Sequence, residues 1–256
     1  MRLSEMVAVL EEIAPPELAY ESDRDRNGLV LDRGGNVNKV AVALDVTDYV
    51  LEEAARAEAD LLITHHTPIY HPIHRISKTL SDSLKIALES EISIYTMHTN
   101  YDRVEGGVND VLAELLELQD IEELGPGRIG RTDHQTTSAL AEFVARKLNV
   151  SVRWIGEREI ETVMVIGGSG LNGEFVEIAI NGGADVLVSG ELRHDAIRSA
   201  QNLALIDATH YATENPAMQR LCERLPVDSV FIDHIPEVQM VDNTRMVHLD
   251  QMAWYL

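Results

Sequence analysis

Short apolar segments alternate with amphipathic segments along almost the whole chain, and this alternation restricts the fold more than any other feature. Residues 40–45, 61–64 and 92–97 are apolar runs of strand length, and residues 50–59 and 78–90 between them have helical character. Strands joined through helices usually lie side by side in one sheet, because a parallel connection needs a crossover. The sequence therefore predicts an α/β fold with mainly parallel sheets and helices on both faces.

A break in this alternation divides the chain. Residues 124–135 contain three Gly and one Pro, a composition that is typical of a linker. We therefore expect two α/β/α lobes, the first formed by residues 1–125 and 205–256 and the second by residues 126–204. Residues 214–225 are predicted to form a helix, and residues 229–235 and the end of the chain are predicted to be closing strands.

Side chains that can bind metals follow three of the predicted strands: His65 and His66, then Asp102, and later the pair His210 and Glu214. A pleated strand would point adjacent side chains to opposite faces, whereas a turn at the end of a strand lets both histidines face one cleft. Open α/β sheets bind their ligands at the carboxyl ends of the strands. We therefore predict a metal site at these strand ends, between the two lobes, with most of its ligands on the first lobe.

The number of candidate ligands indicates two metal ions rather than one. An open mononuclear zinc site has three protein ligands, and this chain offers more. Adjacent histidines cannot easily chelate one ion together, so His65 and His66 are expected to serve neighbouring ions. His210 and Glu214 would lie on one face of a helical turn, where Glu214 can bridge two cations. We predict two divalent ions per chain, with Zn, Fe, Mn and Mg all open. For His210 and Glu214 taken alone, there is a competing interpretation: the two residues stand at the start of a helix that Thr209 or Thr213 caps.

The chain resembles the Nif-like dinuclear metal-centre proteins, the GTP cyclohydrolase I type 2 homologs, in their short form without an inserted domain. Matching segments stand in the family's order along nearly the whole chain: residues 27–29, 43–47, 63–76, 98–113, 188–197 and 209–214. The resemblance places the metal ligands on His65, His66, Asp102, His210 and Glu214. It also implies a ring-shaped homohexamer built from dimers. The family usually has Gly where this chain has Thr209.

Further residues are expected to surround the predicted site. His98 and His194 are candidates for proton transfer. In the GTP cyclohydrolase reaction that the resemblance implies, opening of the purine ring and release of formate both need a group that titrates near neutral pH. Glu191 either lines the same cleft or belongs to a capped helix start. His71 and His74 are expected near the mouth of the site but not on the metals.

A phosphate group on the substrate would need a cationic partner. The basic residues nearest in sequence to the metal-site segments are Arg75, Arg103 and Arg193, each of which can instead pair with a surface carboxylate. Residues 167–174 are rich in Gly and follow a predicted strand. They lack the ending of a phosphate-binding P-loop, so a tight turn is the better interpretation.

The net charge of the chain indicates which partners it can bind and what kind of cytoplasm it suits. Acidic residues number 43 against 21 basic ones, for a net charge of −22. Such a chain repels nucleic acid and suits a salt-rich, halophilic cytoplasm, where salt screens the mutual repulsion of the carboxylates. The single cysteine, Cys222, is compatible with a reducing cytoplasm. No run approaches the ~20 apolar residues of a membrane span.

These observations favour a metal-dependent hydrolase that acts on a small molecule. The family resemblance makes GTP the candidate substrate and opening of its purine ring the candidate reaction. One alternative is a non-enzymatic metal-binding or regulatory assembly protein. Another is a metallo-phosphoesterase acting on a nucleotide.

Overall fold

The computed structural model describes residues 1–238, in which helices and strands alternate. The α-helices are α1 (Leu3–Ile13), α2 (Asp48–Arg56), α3 (Lys78–Glu89), α4 (Thr99–Arg103), α5 (Val108–Leu115), α6 (Thr137–Leu148), α7 (Gly173–Asn181), α8 (His194–Ser199) and α9 (His210–Leu221). The strands are β1 (Gly28–Leu31), β2 (Lys39–Ala43), β3 (Leu61–Thr64), β4 (Ser93–Thr96), β5 (Gln119–Leu124), β6 (Gly127–Arg131), β7 (Arg153–Ile155), β8 (Thr162–Val165), β9 (Val186–Ser189), β10 (Ala204–Asp207) and β11 (Asp228–Phe231). None of the helices in residues 1–238 is long and apolar enough to cross a membrane.

The first sheet has the strand order β1-β4-β3-β2-β11. Its strands β4, β3, β2 and β11 run parallel, and β1 lies antiparallel at one edge. Alternate residues of β2 point to opposite faces, as strand geometry requires. Val40 and Val42 pack with α1, α5 and α9, whereas Ala41 packs with α2 and α3 on the other face. Both faces are therefore covered, and this explains why the central strands are apolar throughout.

The second sheet has the order β5-β6-β8-β9-β10-β7. Only its central strands β8, β9 and β10 are parallel, and the pairs at its two edges are antiparallel. One face of the sheet packs against α6, and the other against α7 and α8.

Helix α5 packs toward both sheets. Val111 belongs to the apolar cluster of the first sheet, and the next residue, Leu112, belongs to that of the second. Neighbouring residues of a helix point about 100° apart, so one helix can contact two cores in this way. The ends of β3, β4 and β10 lie near this junction, and the segments that follow them carry the predicted ligands.

The predicted α/β class, with two sheets and flanking helices, is confirmed. Mainly parallel pairing holds for the first sheet, but the second sheet is antiparallel toward its edges. The linker predicted at residues 124–135 is wrong, because β5 and β6 form a hairpin there. A Cβ at Gly127 would lie 2.2 Å from the Val165 carbonyl oxygen. The absence of a side chain at Gly127 thus reflects close strand packing rather than flexibility.

The predicted division into lobes differs from the sheet membership at two places. Strands β5 and β10 pair within the second sheet, although residues 119–124 and 205–207 were assigned to the first lobe. The division itself stays a prediction. Strand β11 lies within the segment predicted as a closing strand, and the last predicted strand lies outside the described residues.

Candidate metal centre

The chain turns sharply at the end of β3 and brings His65 and His66 to the same side. The backbone N–H groups of both histidines donate to the carbonyl oxygen of Leu44, at 3.2 and 3.0 Å. The two rings lie 5.1 Å apart between their centroids. His65 is completely buried, and His66 is partly exposed. The turn predicted from the sequence is therefore what lets adjacent side chains share one cleft.

Helix α9 supplies His210 and Glu214 from its first turns. It begins at His210 rather than near residue 214, and the Thr209 hydroxyl caps it by accepting from the N–H of Ala212. Thr209 has φ +66°, a left-handed conformation that favours glycine. Since residues four apart share a helix face, Nε2 of His210 lies 3.0 Å from Oε2 of Glu214.

Three atoms form a first group that could hold a metal ion: Nε2 of His66, Nε2 of His210 and Oε2 of Glu214. The two nitrogens are 3.2 Å apart, and Nε2 of His66 is 3.2 Å from the Glu214 oxygen. A tetrahedral ion with bonds near 2.0 Å holds its ligand atoms about 3.3 Å apart. The spacing of the group is therefore close to what one cation requires.

A second group consists of His65, Asp102 and the other oxygen of Glu214. Nε2 of His65 lies 3.4 Å from Oδ1 of Asp102 and 3.6 Å from Oε1 of Glu214. One carboxylate oxygen of Glu214 thus faces each group. A carboxylate placed in this way could contact a cation in each group.

Several buried polar atoms of these groups have no hydrogen-bond partner among the described residues. They are Nε2 of His65, Oδ1 of Asp102 and Oε2 of Glu214. A buried polar atom without a partner costs about 1–3 kcal/mol, and more when it is charged. One divalent cation in each group would satisfy these atoms, and imidazole with carboxylate is a donor set that Zn, Fe and Mn accept. The residues present therefore fit the implied metals.

The outward-facing nitrogen of each histidine is occupied by an oxygen acceptor. Nδ1 of His65 donates to the Met97 carbonyl at 2.8 Å, and Nδ1 of His66 donates to Asp45 at 2.7 Å. Nδ1 of His210 donates to Glu191 at 2.6 Å. These bonds leave the lone pair of each Nε2 free to point inward. Metal-binding histidines are held in this way by partners beyond the ligands themselves.

His98 joins the same cluster from the start of α4. It forms a third group with His65 and His66, and its ring lies 5.0 Å from that of His65. Nδ1 of His98 donates to Asp23 at 2.7 Å. Asp23 is buried and also accepts from the hydroxyl of Thr99. Asp23 therefore orients His98 toward the cluster.

Burial and the charges of neighbouring side chains shift the pKa values of the histidines and carboxylates in the cluster. Burial alone would lower the pKa of His66, but the nearby carboxylates of Asp45 and Glu214 raise it to about 10. Burial likewise opposes the charge on His210, whose pKa Glu214 and Glu191 nevertheless raise to about 9. Burial raises the pKa of Asp102, whereas the surrounding histidines, led by His65, hold the pKa of Glu214 well below its usual range despite burial. A bound cation would take the place of these protons.

A cavity of about 260 Å³ opens onto the cluster. Its walls include Asp102, His210 and Glu214 together with Tyr20 and Tyr70. Gly167 and Ser169 of the Gly-rich loop also line it. A small ligand in this cavity can therefore reach the carboxylates of Asp102 and Glu214.

Gly168 in this loop lies directly against Glu214. A Cβ at Gly168 would be 2.1 Å from Oε1 of Glu214, and the residue has φ +71°. Close approach and a left-handed backbone together require glycine here. The Gly-rich segment thus packs against the predicted bridging carboxylate, which its sequence did not indicate.

The structure brings His65, His66, Asp102, His210 and Glu214 together, with His98 beside them. Their role as metal ligands stays a prediction. His194 is exposed at the start of α8 and does not line the cavity. His71 and His74 are exposed in the loop after β3.

None of the three arginines that were candidates for phosphate contact lines this cavity. Arg103 donates to the Leu18 carbonyl, Arg193 pairs with Asp195, and Arg75 is exposed. Sequence reasoning missed Asp45 and Asp23. Asp45 follows β2, so the same strand-end rule could have found it, whereas Asp23 lies in a 3-10 segment (Glu21–Arg26) without any such signal.

The chain is similar to proteins of one family over almost its whole length. The family model for Duf34/NIF3 (NGG1p interacting factor 3) matches residues 1–237. A GTP cyclohydrolase 1 type 2 homolog from Methanocaldococcus jannaschii is 31% identical over 237 residues, which are 88% of this chain and 95% of that relative. The solved structure of reduced HcgD from the same organism has a TM-score of 0.81 and 29% identity, covering 91% of this chain and 98% of that one. A Bacillus cereus protein related to NIF3 shares the fold, with a TM-score of 0.84 and 21% identity over 94% of this chain and 99% of that one.

Proposed function

The chain belongs to the Duf34/NIF3 family, and from this premise we propose that it binds two divalent cations and uses them to hydrolyse a small molecule. The observation that carries the proposal is the position of Glu214. One of its oxygens faces His66 and His210, and the other faces His65. A buried carboxylate shared between two groups of nitrogen and oxygen donors is suited to a pair of cations. A single cation would not require the two oxygens of Glu214 to face different groups.

The open side of the cluster favours catalysis over a purely structural role. Structural metal sites are closed by protein ligands, whereas catalytic ones keep a position for water or substrate. Here the cavity reaches Asp102, His210 and Glu214. When bound, two metal ions would activate water as a nucleophile near neutral pH and stabilise the negative charge that develops on the substrate.

The residues of the chain would contribute orientation and proton transfer. Asp45 and Glu191 fix the rings of His66 and His210 through their outer nitrogens. His98, held by Asp23, presents its other ring nitrogen to the cluster. That nitrogen is placed to give or accept a proton at a substrate atom in the cavity.

A purine nucleotide is the substrate that we propose. The support is the name that relatives such as the one from Methanocaldococcus jannaschii carry, GTP cyclohydrolase 1 type 2 homolog. In the proposed reaction, one water adds to C8 of the purine and opens the imidazole ring to a formamide. A second water then releases formate and leaves an amine. Both steps are hydrolytic and need no oxidant or reductant.

The test measures bound metal and formate release from GTP on the same preparation. Protein purified without chelator is expected to contain two divalent ions per chain and to release formate, and His65→Ala is expected to do so at background rate. Formate release equal to that of His65→Ala would refute ring opening. Phosphate release in its place would favour the phosphoesterase alternative, and neither product with two bound ions would favour the non-enzymatic one.

A further inference from the structure

A guanidinium group forms part of the cavity wall beside the cluster. Among the described residues that line the cavity, Arg26 is the one Lys or Arg side chain. Its guanidinium carbon lies 3.8 Å from the centre of the Tyr70 ring. Its Nε donates to the Tyr70 carbonyl at 2.9 Å, and its Nη1 donates to the buried Asp23 at 2.9 Å. Arg26 is therefore held rigidly at this wall.

We propose that Arg26 binds a phosphate group of the ligand that occupies this cavity. The proposal rests on the proposed function, because it assigns the substrate class of the same site. It makes Arg26 a specificity-determining residue that selects phosphorylated ligands over neutral ones.

The donors of Arg26 support this role. Two of its three guanidinium nitrogens are used within the protein, and Nη2 makes no hydrogen bond to the described residues. The side chain is 20% exposed and lines the cavity. Stacking on Tyr70 and pairing with Asp23 fix the guanidinium before a ligand arrives, which reduces the entropy lost on binding. Planar guanidinium groups match phosphate oxygens better than ammonium groups do.

The negative charge around the cavity makes a positively charged side chain important for binding an anionic ligand. The chain has a net charge of −22, and the same cavity is lined by Asp23, Asp102 and Glu214. An anionic ligand would be repelled from such walls unless cations compensate. The proposed metal ions would neutralise the carboxylates of the cluster, and Arg26 offers positive charge beyond the predicted ligands. Ser22 and Ser169 also line the cavity, and a serine hydroxyl can donate to a phosphate oxygen.

Arg26 also has a structural role from which phosphate binding must be separated. It joins the 3-10 segment Glu21–Arg26 to the loop after β3 through Tyr70. Loss of that contact alone would lower the melting temperature without changing phosphate affinity. Measurement of both quantities on the same variants distinguishes the two roles.

The experiment titrates manganese-loaded protein with inorganic phosphate by calorimetry, with metal content measured in parallel. Arg26→Gln is expected to bind phosphate about tenfold to a hundredfold more weakly, the usual effect of losing a charged hydrogen bond. Its metal content is expected to match that of the wild type. The matched control is Arg24→Gln, an exposed residue of the same segment that does not line the cavity, and its affinity is expected to be unchanged.

Unchanged phosphate affinity in Arg26→Gln with full metal content would overturn the proposal, as would a wild-type protein that binds no phosphate. If Arg26→Gln does not fold, Arg26→Lys takes its place. This variant keeps the charge but loses the planar fork, so it is expected to bind several-fold more weakly, and wild-type affinity there would overturn the proposal too. Failure of the proposed function is distinguishable, because it appears as wild-type protein that lacks two metal ions or releases no formate from GTP, whereas failure of the Arg26 assignment appears in the phosphate affinities. If metal-free wild-type protein still binds phosphate and Arg26→Gln binds it more weakly, the assignment of Arg26 stands.

Discussion

Gly168 provides a test of how the predicted bridging carboxylate is held. A Cβ at this position would lie 2.1 Å from Oε1 of Glu214 and 3.1 Å from Nε2 of His210. Nonbonded heavy atoms rest about 3.5 Å apart, so Gly168→Ala would displace the carboxylate by about 1.4 Å. Metal–ligand distances tolerate only about 0.2 Å. The alanine variant should therefore lose the bridge.

Two effects of different size are expected from Gly168→Ala. The left-handed backbone, at φ +71°, costs roughly 1–2 kcal/mol for any residue with a Cβ. In a chain of this length each kcal/mol lowers the melting temperature by about 2–4 °C. The displaced carboxylate should also weaken metal binding at both groups by at least about tenfold, since loss of even an outer partner of a ligand has that effect.

Gly183→Ala is the matched control, because it separates the backbone from the contact. Gly183 has φ +79°, and a Cβ there would meet nothing within 4 Å. It should show a similar loss of stability and no loss of metal. Equilibrium dialysis with elemental analysis, beside thermal melts of metal-free protein, measures both effects. Equal metal binding by the two alanine variants would refute the steric reasoning.

Three further results are expected. Asp45→Ala should weaken the binding of one of the two cations about tenfold to a hundredfold, because Asp45 contacts His66 and no other histidine of the described cluster. Competition with a chromogenic chelator measures this affinity, and equal loss of both cations would contradict the prediction. With a net charge of −22, the protein should melt at a temperature that continues to rise along a KCl series beyond the range where simple screening saturates, and a midpoint insensitive to salt would contradict the halophilic hypothesis. Light scattering in high salt should give a homohexamer, and a monomer at micromolar concentration would contradict that expectation.

The strand ends of the candidate site could be predicted because parallel strands place their carboxyl ends at one edge of a sheet. Residues that follow β3 and β4 meet for that reason. His210 and Glu214 follow β10 of the second sheet, 144 positions after His66, and they reach the same site because α9 packs against the first sheet. Asp23 could not be predicted in this way. It meets His98 across 75 positions, through a 3-10 segment without hydrophobic periodicity, so only tertiary packing determines the contact.

Local signals also misplaced two elements. Strand β5 exposes most of its side chains, so it lacks the apolar alternation by which strands are identified, and its hairpin with β6 was interpreted as a linker. The start of α9 was placed near residue 214. Pro216 is tolerated in the first turn of a helix, so the sequence is compatible with that later start, and the choice between Thr209 and Thr213 as the cap depends on the tertiary structure.

The central claim is that Glu214 holds two cations together, and metal counting on wild-type protein and two variants tests it most directly. Elemental analysis should give two divalent ions per wild-type chain, a clear fall at both positions in Glu214→Gln, and the loss of one ion in His66→Ala. Glu214→Gln is close in size to the native side chain and removes the charge that a bridge requires. A single ion in the wild type, or two ions retained by Glu214→Gln, would contradict the account.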